Sequence, residues 1–173
     1  MTRTDVPDAV SEVAVEAMVV RPAEPEDVPD LVDVFLTARA GAPMPPSVHS
    51  PREIAAFLAA RLDVDETWVA ESGGVVVGYA RFTPTWLDDL YVAPGAQHVG
   101  VGTALLDLVK VLRPDGFGLW VFTSNLPARA FYAGHGFVEA EHTDGSENEE
   151  QAPDIRMVWP GSRVGAGTVG GAD

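Results

Sequence analysis

Two stretches of this chain bring together residue types that can do chemistry. Gln97-His98-Val99-Gly100-Val101-Gly102-Thr103 runs straight into the apolar segment Ala104 to Val109. A glycine-rich turn that opens a helix gathers unpaired backbone N–H groups at the positive end of the helix dipole, which is a cradle for phosphate oxygens. Further on, Asn125-Leu126-Pro127-Ala128-Arg129-Ala130-Phe131-Tyr132 leads into Gly136-Phe137. It sets a phenol on a helix close in sequence to the first segment, and a phenol can pass a proton. Before both stand two consecutive carboxylates, Asp88 and Asp89, on a segment that reads as a strand. Strict alternation would turn them to opposite faces, so that only one looks into a shared cleft.

Taken in order, these segments resemble the Gcn5-related N-acetyltransferase (GNAT) superfamily. That family's cofactor motif, [Gln/Arg]xxGx[Gly/Ala], is matched by Gln97, Gly100 and Gly102, and its second motif, NxxAxxFY followed by GF, by Asn125, Ala128, Phe131, Tyr132, Gly136 and Phe137. The resemblance covers about residues 18 to 160 and implies a mixed, mostly antiparallel sheet of about seven strands flanked by about four helices, with the fourth and fifth strands splayed. It implies acetyl-CoA as the bound cofactor. The main chain of Leu90, Tyr91 and Val92 would pair with the pantetheine arm, and N–H groups from Gln97 through His98, Val99, Gly100, Val101, Gly102 and Thr103 would take the diphosphate. Asn125 and Ala128 would flank the arm, Arg129 would reach the phosphates, and Tyr132 would act as general acid. Val99 is a departure, because that position is often basic in the family; His98 is the nearest group able to add positive charge. The acceptor side would use Asp88 as base in preference to Asp89, with Asn148, Glu149 and Glu150 of the acidic loop Thr143 to Glu150 receiving an ammonium group. The implied reaction is transfer of acetyl to a primary amine of a small molecule or a peptide. A non-catalytic acyl-CoA-binding domain is the alternative, since no residue type marks the base.

The chemistry sets the requirements. An alkyl amine has a reference pKa of about 10.4, so something must take its proton at neutral pH. A departing thiol, at about 8.5, benefits from a nearby acid. A dinucleotide site is the rival for Gly100-Val101-Gly102, but Leu105 occupies the third glycine position and the motif follows the fourth strand rather than the first. Calcium is disfavoured as well: Asp144, Ser146 and Asn148 alternate, yet Glu149 stands where a calcium loop needs glycine. His49, His135 and His142 have no ligand spacing, so no metal is expected.

The elements that must position these groups follow from periodicity. Val19 to Pro22 reads as a strand, Glu24 to Asp27 opens a helix, and Ser50-Pro51-Arg52-Glu53 is a capped start for a second. Trp68 to Ala70 and Val75 to Phe82 form a hairpin over Ser72-Gly73-Gly74, with Trp86 to Val92 as the next strand. A helix from Val101 to Val111, a strand from Phe117 to Phe122, a helix from Pro127 to His135 and strands at 137–141 and 155–159 complete one α/β domain over 18–160. Residues 1–17 and 161–173 read as flexible tails. A chain of 173 residues fits one domain. A formal charge of −15 disfavours nucleic acid and favours cationic partners. No run is long enough for a membrane span, no secretory pattern opens the chain, and the absence of cysteine is compatible with the cytoplasm. A homodimer is compatible with all of this.

Overall fold

A computed structural model describes residues 17–162; the tails expected at 1–17 and 161–173 lie, apart from Ala17, Gly161 and Ser162, outside the described residues. The expected order of elements is what the chain adopts. Strand β1 (Val19–Pro22) is followed by helices α1 (Val28–Ala40) and α2 (Pro51–Arg61). Three strands come next, β2 (Glu66–Ser72), β3 (Val75–Phe82) and β4 (Leu87–Val92), then α3 (Val101–Leu112), β5 (Phe117–Phe122), α4 (Leu126–Gly134), β6 (Val138–His142) and β7 (Asp154–Trp159). A single 3₁₀ turn, Pro25–Asp27, precedes α1 where the sequence predicts its first helical turn. The start of α2 is capped as its sequence requires: the Ser50 hydroxyl accepts from the Glu53 N–H, and the Glu53 carboxylate accepts from the Ser50 N–H.

Strands β1 to β4 form one antiparallel sheet in sequence order, and β5, β7 and β6 form a second. Among the described residues the two are bridged at the base of β4 and β5. There Trp86 and Gly118 make an isolated parallel bridge, and the Gly118 N–H donates to the Thr85 carbonyl at 3.0 Å. Glycine eases that contact, since a Cβ on residue 118 would stand 3.0 Å from the Trp86 ring, which would have to give way. Beyond the bridge the strands part toward their C-terminal ends. Both α3 and α4 start from those ends, so the split opens beneath two helix N-termini, where open α/β sheets hold their ligands.

Two apolar layers fix this frame. On one face, Leu31 and Val34 of α1 with Ile54 and Leu58 of α2 pack on Val69, Val76 and Tyr79. On the other, Leu105, Leu106 and Val109 of α3 pack on Ala80, Phe82, Leu119, Val121, Ile155 and Met157. Each large side chain so buried stabilises by about 1.5–3 kcal/mol. Gly78 lets the first turn of α3 sit directly on β3, for a Cβ there would come within 3.1 Å of Val101 Cγ1 and 3.0 Å of the Tyr91 carbonyl. This close seating aims the start of α3 across the open end of β4.

Strict alternation fails at the two aspartates. Arg81 pairs with Asp89 and Phe82 with Leu87, which leaves Asp88 as an extra, bulged residue. Leu87 and Leu90 therefore face the α3 core while Asp89 faces the α1 and α2 side. Asp89 is buried against Arg81 (Nε to Oδ2, 2.8 Å), with the Tyr79 hydroxyl at 3.4 Å. Arg81 in turn reaches Asp65 (2.7 Å), which Arg61 also holds (2.5 Å). Among the described residues no helix is long and apolar enough to cross a membrane.

Candidate active site

A cavity of about 630 Å³ lies in the split, walled by Leu90, Tyr91 and Val92 of β4, by Asn125, Ala128 and Tyr132 of the α4 segment, and by Gln97, His98, Gly100, Gly102 and Thr103 at the start of α3. Most of the residues expected to hold a cofactor thus share one wall. Helix α3 begins on Gly100, at φ +92° with no side-chain cap, and carries no acid in its first turn. The first N–H in it to meet a helical carbonyl is that of Ala104, on Gly100 (3.0 Å). Among the described residues no acceptor satisfies the N–H groups of Val101, Gly102 or Thr103. His98, also left-handed at φ +64°, helps curl the preceding turn. The result is a cup of unsatisfied donors at a helix N-terminus, which suits an anionic phosphate group.

Side chains around the cup are arranged less simply. The Gln97 amide donates to the Val92 carbonyl (3.0 Å), tying the turn to the end of β4. Val99 is 75% exposed and Val101 is buried in the core, so only their backbone is available to the cup. The Thr103 hydroxyl lies 3.2 Å from His135 Nε2, whose Nδ1 meets the Phe131 carbonyl at 2.7 Å. Arg129 turns away from the cavity: it pairs with Glu139 (2.8 Å) and donates to the Thr123 carbonyl (3.0 Å). Asn125 caps α4, its Oδ1 accepting from the Ala128 N–H at 3.3 Å.

A smaller cavity of about 110 Å³ continues toward the base of the split and shares Met44, Leu90, Tyr91, Asn125, Ala128 and Tyr132 with the larger one. Asp88, Trp120 and Phe122 line the smaller cavity and not the larger. Tyr132 stands where the two meet, its ring edge-on to Phe131 and Phe137. Among the described residues its hydroxyl has no hydrogen-bond partner. Burial first, and then Tyr91 and Asp89, push that phenol well above its usual range, so it stays protonated. Tyr91 is pushed up to about 12, chiefly by burial. Asp88 keeps 34% of its side chain open to the cavity, yet the burial it has outweighs Arg81 at 4.0 Å and raises its proton affinity. Nothing among the described residues donates a hydrogen bond to it.

The acidic loop is committed in part to the fold. Asn148 donates to the Ala152 carbonyl (2.7 Å) and to Asp154 (3.1 Å). Glu149 meets His49 at 2.7 Å, and Glu150 meets Arg39 at 3.2 Å. Arg39 also donates to the Tyr91 hydroxyl and the Pro45 carbonyl, so the loop is strapped to the end of α1 beside the cleft. Among the described residues no cluster of His, Asp or Glu could hold a metal ion.

The helix N–H cup and the phenol lie on one continuous cleft, and the chain agrees with the model of the acetyltransferase (GNAT) family over residues 34–137. The chain belongs to the GNAT acetyltransferase family. Over 98 residues this GNAT chain is 34% identical to the peptidyl-lysine N-acetyltransferase YiaC of Escherichia coli K12, a stretch that is 55% of the chain and 64% of that relative. A GCN5-related N-acetyltransferase of Rhodopseudomonas palustris superposes with a TM-score of 0.70 at 26% identity, over 85% of this chain and 98% of that one. The fold is shared with yncA of Salmonella typhimurium, solved with its cofactor acetyl-CoA (TM-score 0.65, 20% identity, 82% of this chain and 92% of that one).

Sequence reading missed several walls of the GNAT cleft. Met44 belongs to the proline-rich stretch between α1 and α2, which has no periodicity, yet it reaches both cavities. Trp120 and Phe122 read as ordinary strand residues, and since Leu119 and Val121 line the same cavity, strand parity gave no signal for them. Arg81 and Asp65 carried none, because their meeting depends on how α2 ends against β3.

Proposed function

We propose that this chain transfers the acetyl group of acetyl-CoA to a primary amine. What supports the reading above all is the partnerless, protonated Tyr132 hydroxyl in a cleft continuous with the uncapped N-terminus of α3. The fit to the cofactor is physical: free N–H groups for a diphosphate at one end, and between them and Tyr132 a trough whose β4 and α4 walls are largely apolar. Acetyl-CoA supplies a thioester, whose carbonyl carbon accepts the amine nitrogen and whose sulfur departs as a thiol. The residues around it handle protons. Asp88 takes the first proton that the ammonium must lose, Tyr132 gives one to the leaving sulfur, and the second proton, shed by the acylated nitrogen, returns through solvent to the phenolate, so one C–N bond forms as one C–S bond breaks and one proton is released in all. Tyr132 does this well because burial keeps it neutral, and Asp88 because burial raises its basicity.

Incubation of amine panels with acetyl-CoA, followed by mass spectrometry, should show the gain of one acetyl group. Tight acetyl-CoA binding by calorimetry with no turnover across a broad panel would instead establish an acyl-CoA-binding domain.

Two variants probe the ends of the cleft. Gly100→Ala puts an L side chain at φ +92°, a strain of about 1–2 kcal/mol that is relieved by rotating the N–H cup. Calorimetry should find acetyl-CoA bound about tenfold more weakly, with the fold retained. For Asp88→Asn, the acid limb of the kcat/KM profile is the readout. In the parent chain activity rises with pH as Asp88 loses its proton, at a pH above the usual carboxylate range because its proton affinity is raised. The amide variant should lose that limb and run at least about a hundredfold slower.

A further inference from the structure

Helices α3 and α4 touch beside the N–H cup. The Phe131 ring lies against Gly102, where a Cβ would stand 3.5 Å from it, and both residues line the large cavity together with Thr103. One turn further along α4, the half-buried His135 sets its ring 4.3 Å from that of Phe131 and within reach of Thr103. It is not itself a wall of the cavity.

The two ring nitrogens have different partners. Nδ1 is 2.7 Å from the Phe131 carbonyl, and Nε2 is 3.2 Å from the Thr103 hydroxyl. A carbonyl only accepts, so Nδ1 carries the ring proton. In the neutral ring Nε2 is therefore an acceptor, and the Thr103 O–H must point at it. That leaves Thr103 Oγ with lone pairs alone for whatever fills the cup, and lone pairs repel an anion. A proton on Nε2 reverses the arrangement. The charged ring donates to Thr103 Oγ, and the hydroxyl hydrogen is released to join the N–H groups of Val101, Gly102 and Thr103 as one more donor.

The charges around the ring act in both directions. From α3, Lys110 donates to the His135 carbonyl at 2.6 Å and opposes a second cation, while Asp107 stands exposed between Lys110 and Thr103. His135 caps the C-terminal end of α4, the negative end of that helix dipole. Arg129 of α4 is neutralised by Glu139 of β6. A diphosphate on the cup adds negative charge next to Thr103 and tips this balance toward the charged ring.

We propose that His135 is a proton-linked positioning residue for the cofactor: a diphosphate on the α3 cup binds together with one proton, which enters at His135 Nε2 and frees the Thr103 hydroxyl for the phosphate. This rests on reading the cleft as a coenzyme A site, and not on acetyl transfer.

The full chain is titrated by calorimetry at about pH 7.5 with dephospho-coenzyme A, in two buffers with different heats of ionisation. The probe keeps the diphosphate and lacks the ribose phosphate monoester, a group that itself titrates near pH 6. At about pH 7.5 an ordinary imidazole, with a reference pKa of about 6.5, is mostly neutral. Uptake of about half a proton or more per ligand is expected, and affinity should fall by up to about tenfold for each pH unit above neutrality. His135→Gln, whose amide can donate to Thr103 without titrating, should abolish the uptake and flatten the pH dependence, with affinity at about pH 6 within about threefold of the parent. Thr103→Ser should keep the uptake and Thr103→Val should lose most of it. His98→Gln alters the histidine that does line the cavity and should keep the uptake. Uptake with no transfer to any amine would remove the acetyltransferase reading and leave the proton linkage standing; acetyl transfer without uptake would do the reverse. The linkage is also overturned if uptake survives His135→Gln or Thr103→Val, if it disappears with His98→Gln, or if neither dephospho-coenzyme A nor coenzyme A binds.

Discussion

Tyr132→Phe should lower kcat by about a hundred- to a thousandfold while acetyl-CoA still binds and the domain still folds. The separation of effects follows from the contacts. The ring is fixed by edge-on packing against Phe131 and Phe137, which phenylalanine keeps, and among the described residues the hydroxyl bonds to nothing that its removal would strand. Thermal melts should therefore change little. The parent enzyme should also show no basic limb from Tyr132 below about pH 10, because burial lifts the phenol above its ordinary value rather than lowering it. Rapid-quench turnover with any active amine is the measurement; an unaltered kcat would remove Tyr132 from the role of acid.

The second large effect is on stability. Arg81 is buried between Asp89 at 2.8 Å and Asp65 at 2.7 Å, with Asp88 at 4.0 Å. Arg81→Ala strands Asp89 as a buried carboxylate without a cation, while Asp65 keeps Arg61. Breaking a buried pair from one side costs about 3–5 kcal/mol, which for a domain of this size lowers Tm by on the order of 10 °C. Arg81→Met combined with Asp89→Leu should recover much of that loss, since apolar partners replace the stranded Asp89 charge while Asp65 stays paired with Arg61. If the single and double variants melt alike, the network is not what holds the end of β4. A kinetic sign accompanies the single change. Removing the cation nearest Asp88 raises its proton affinity further, so the acid limb of kcat/KM should move to higher pH.

Local chemistry was readable from the chain in the places where it depends on neighbours in sequence. The Ser50 to Glu53 cap, the Gly100 start of α3 and the Asn125 cap of α4 each involve residues within a turn of one another, and each forms as its residue types require. The cavity wall was legible for the same reason, since β4, the turn and α3 are continuous and α4 follows one strand later. Arg129 was not legible: the partner that takes its charge, Glu139, lies on β6, beyond the end of the helix in sequence.

Asp88 and Asp89 mark the boundary most clearly. Residue order and the two-residue period of a strand place two carboxylates near the cleft, and turn them apart. The extra residue in β4 is decided by how Arg81 and Phe82 meet their partners across β3, a pairing that two residues read alone do not contain. By itself the sequence determined the elements, the N–H cup and the phenol, because these arise from backbone dihedrals and contacts within a few residues. Only the packing of β3 on β4, of α1 on the acidic loop and of β5 beside Trp86 decided which carboxylate is sealed in an ion network and which faces the cavity, because desolvation and charge pairing depend on chain segments brought together from a distance.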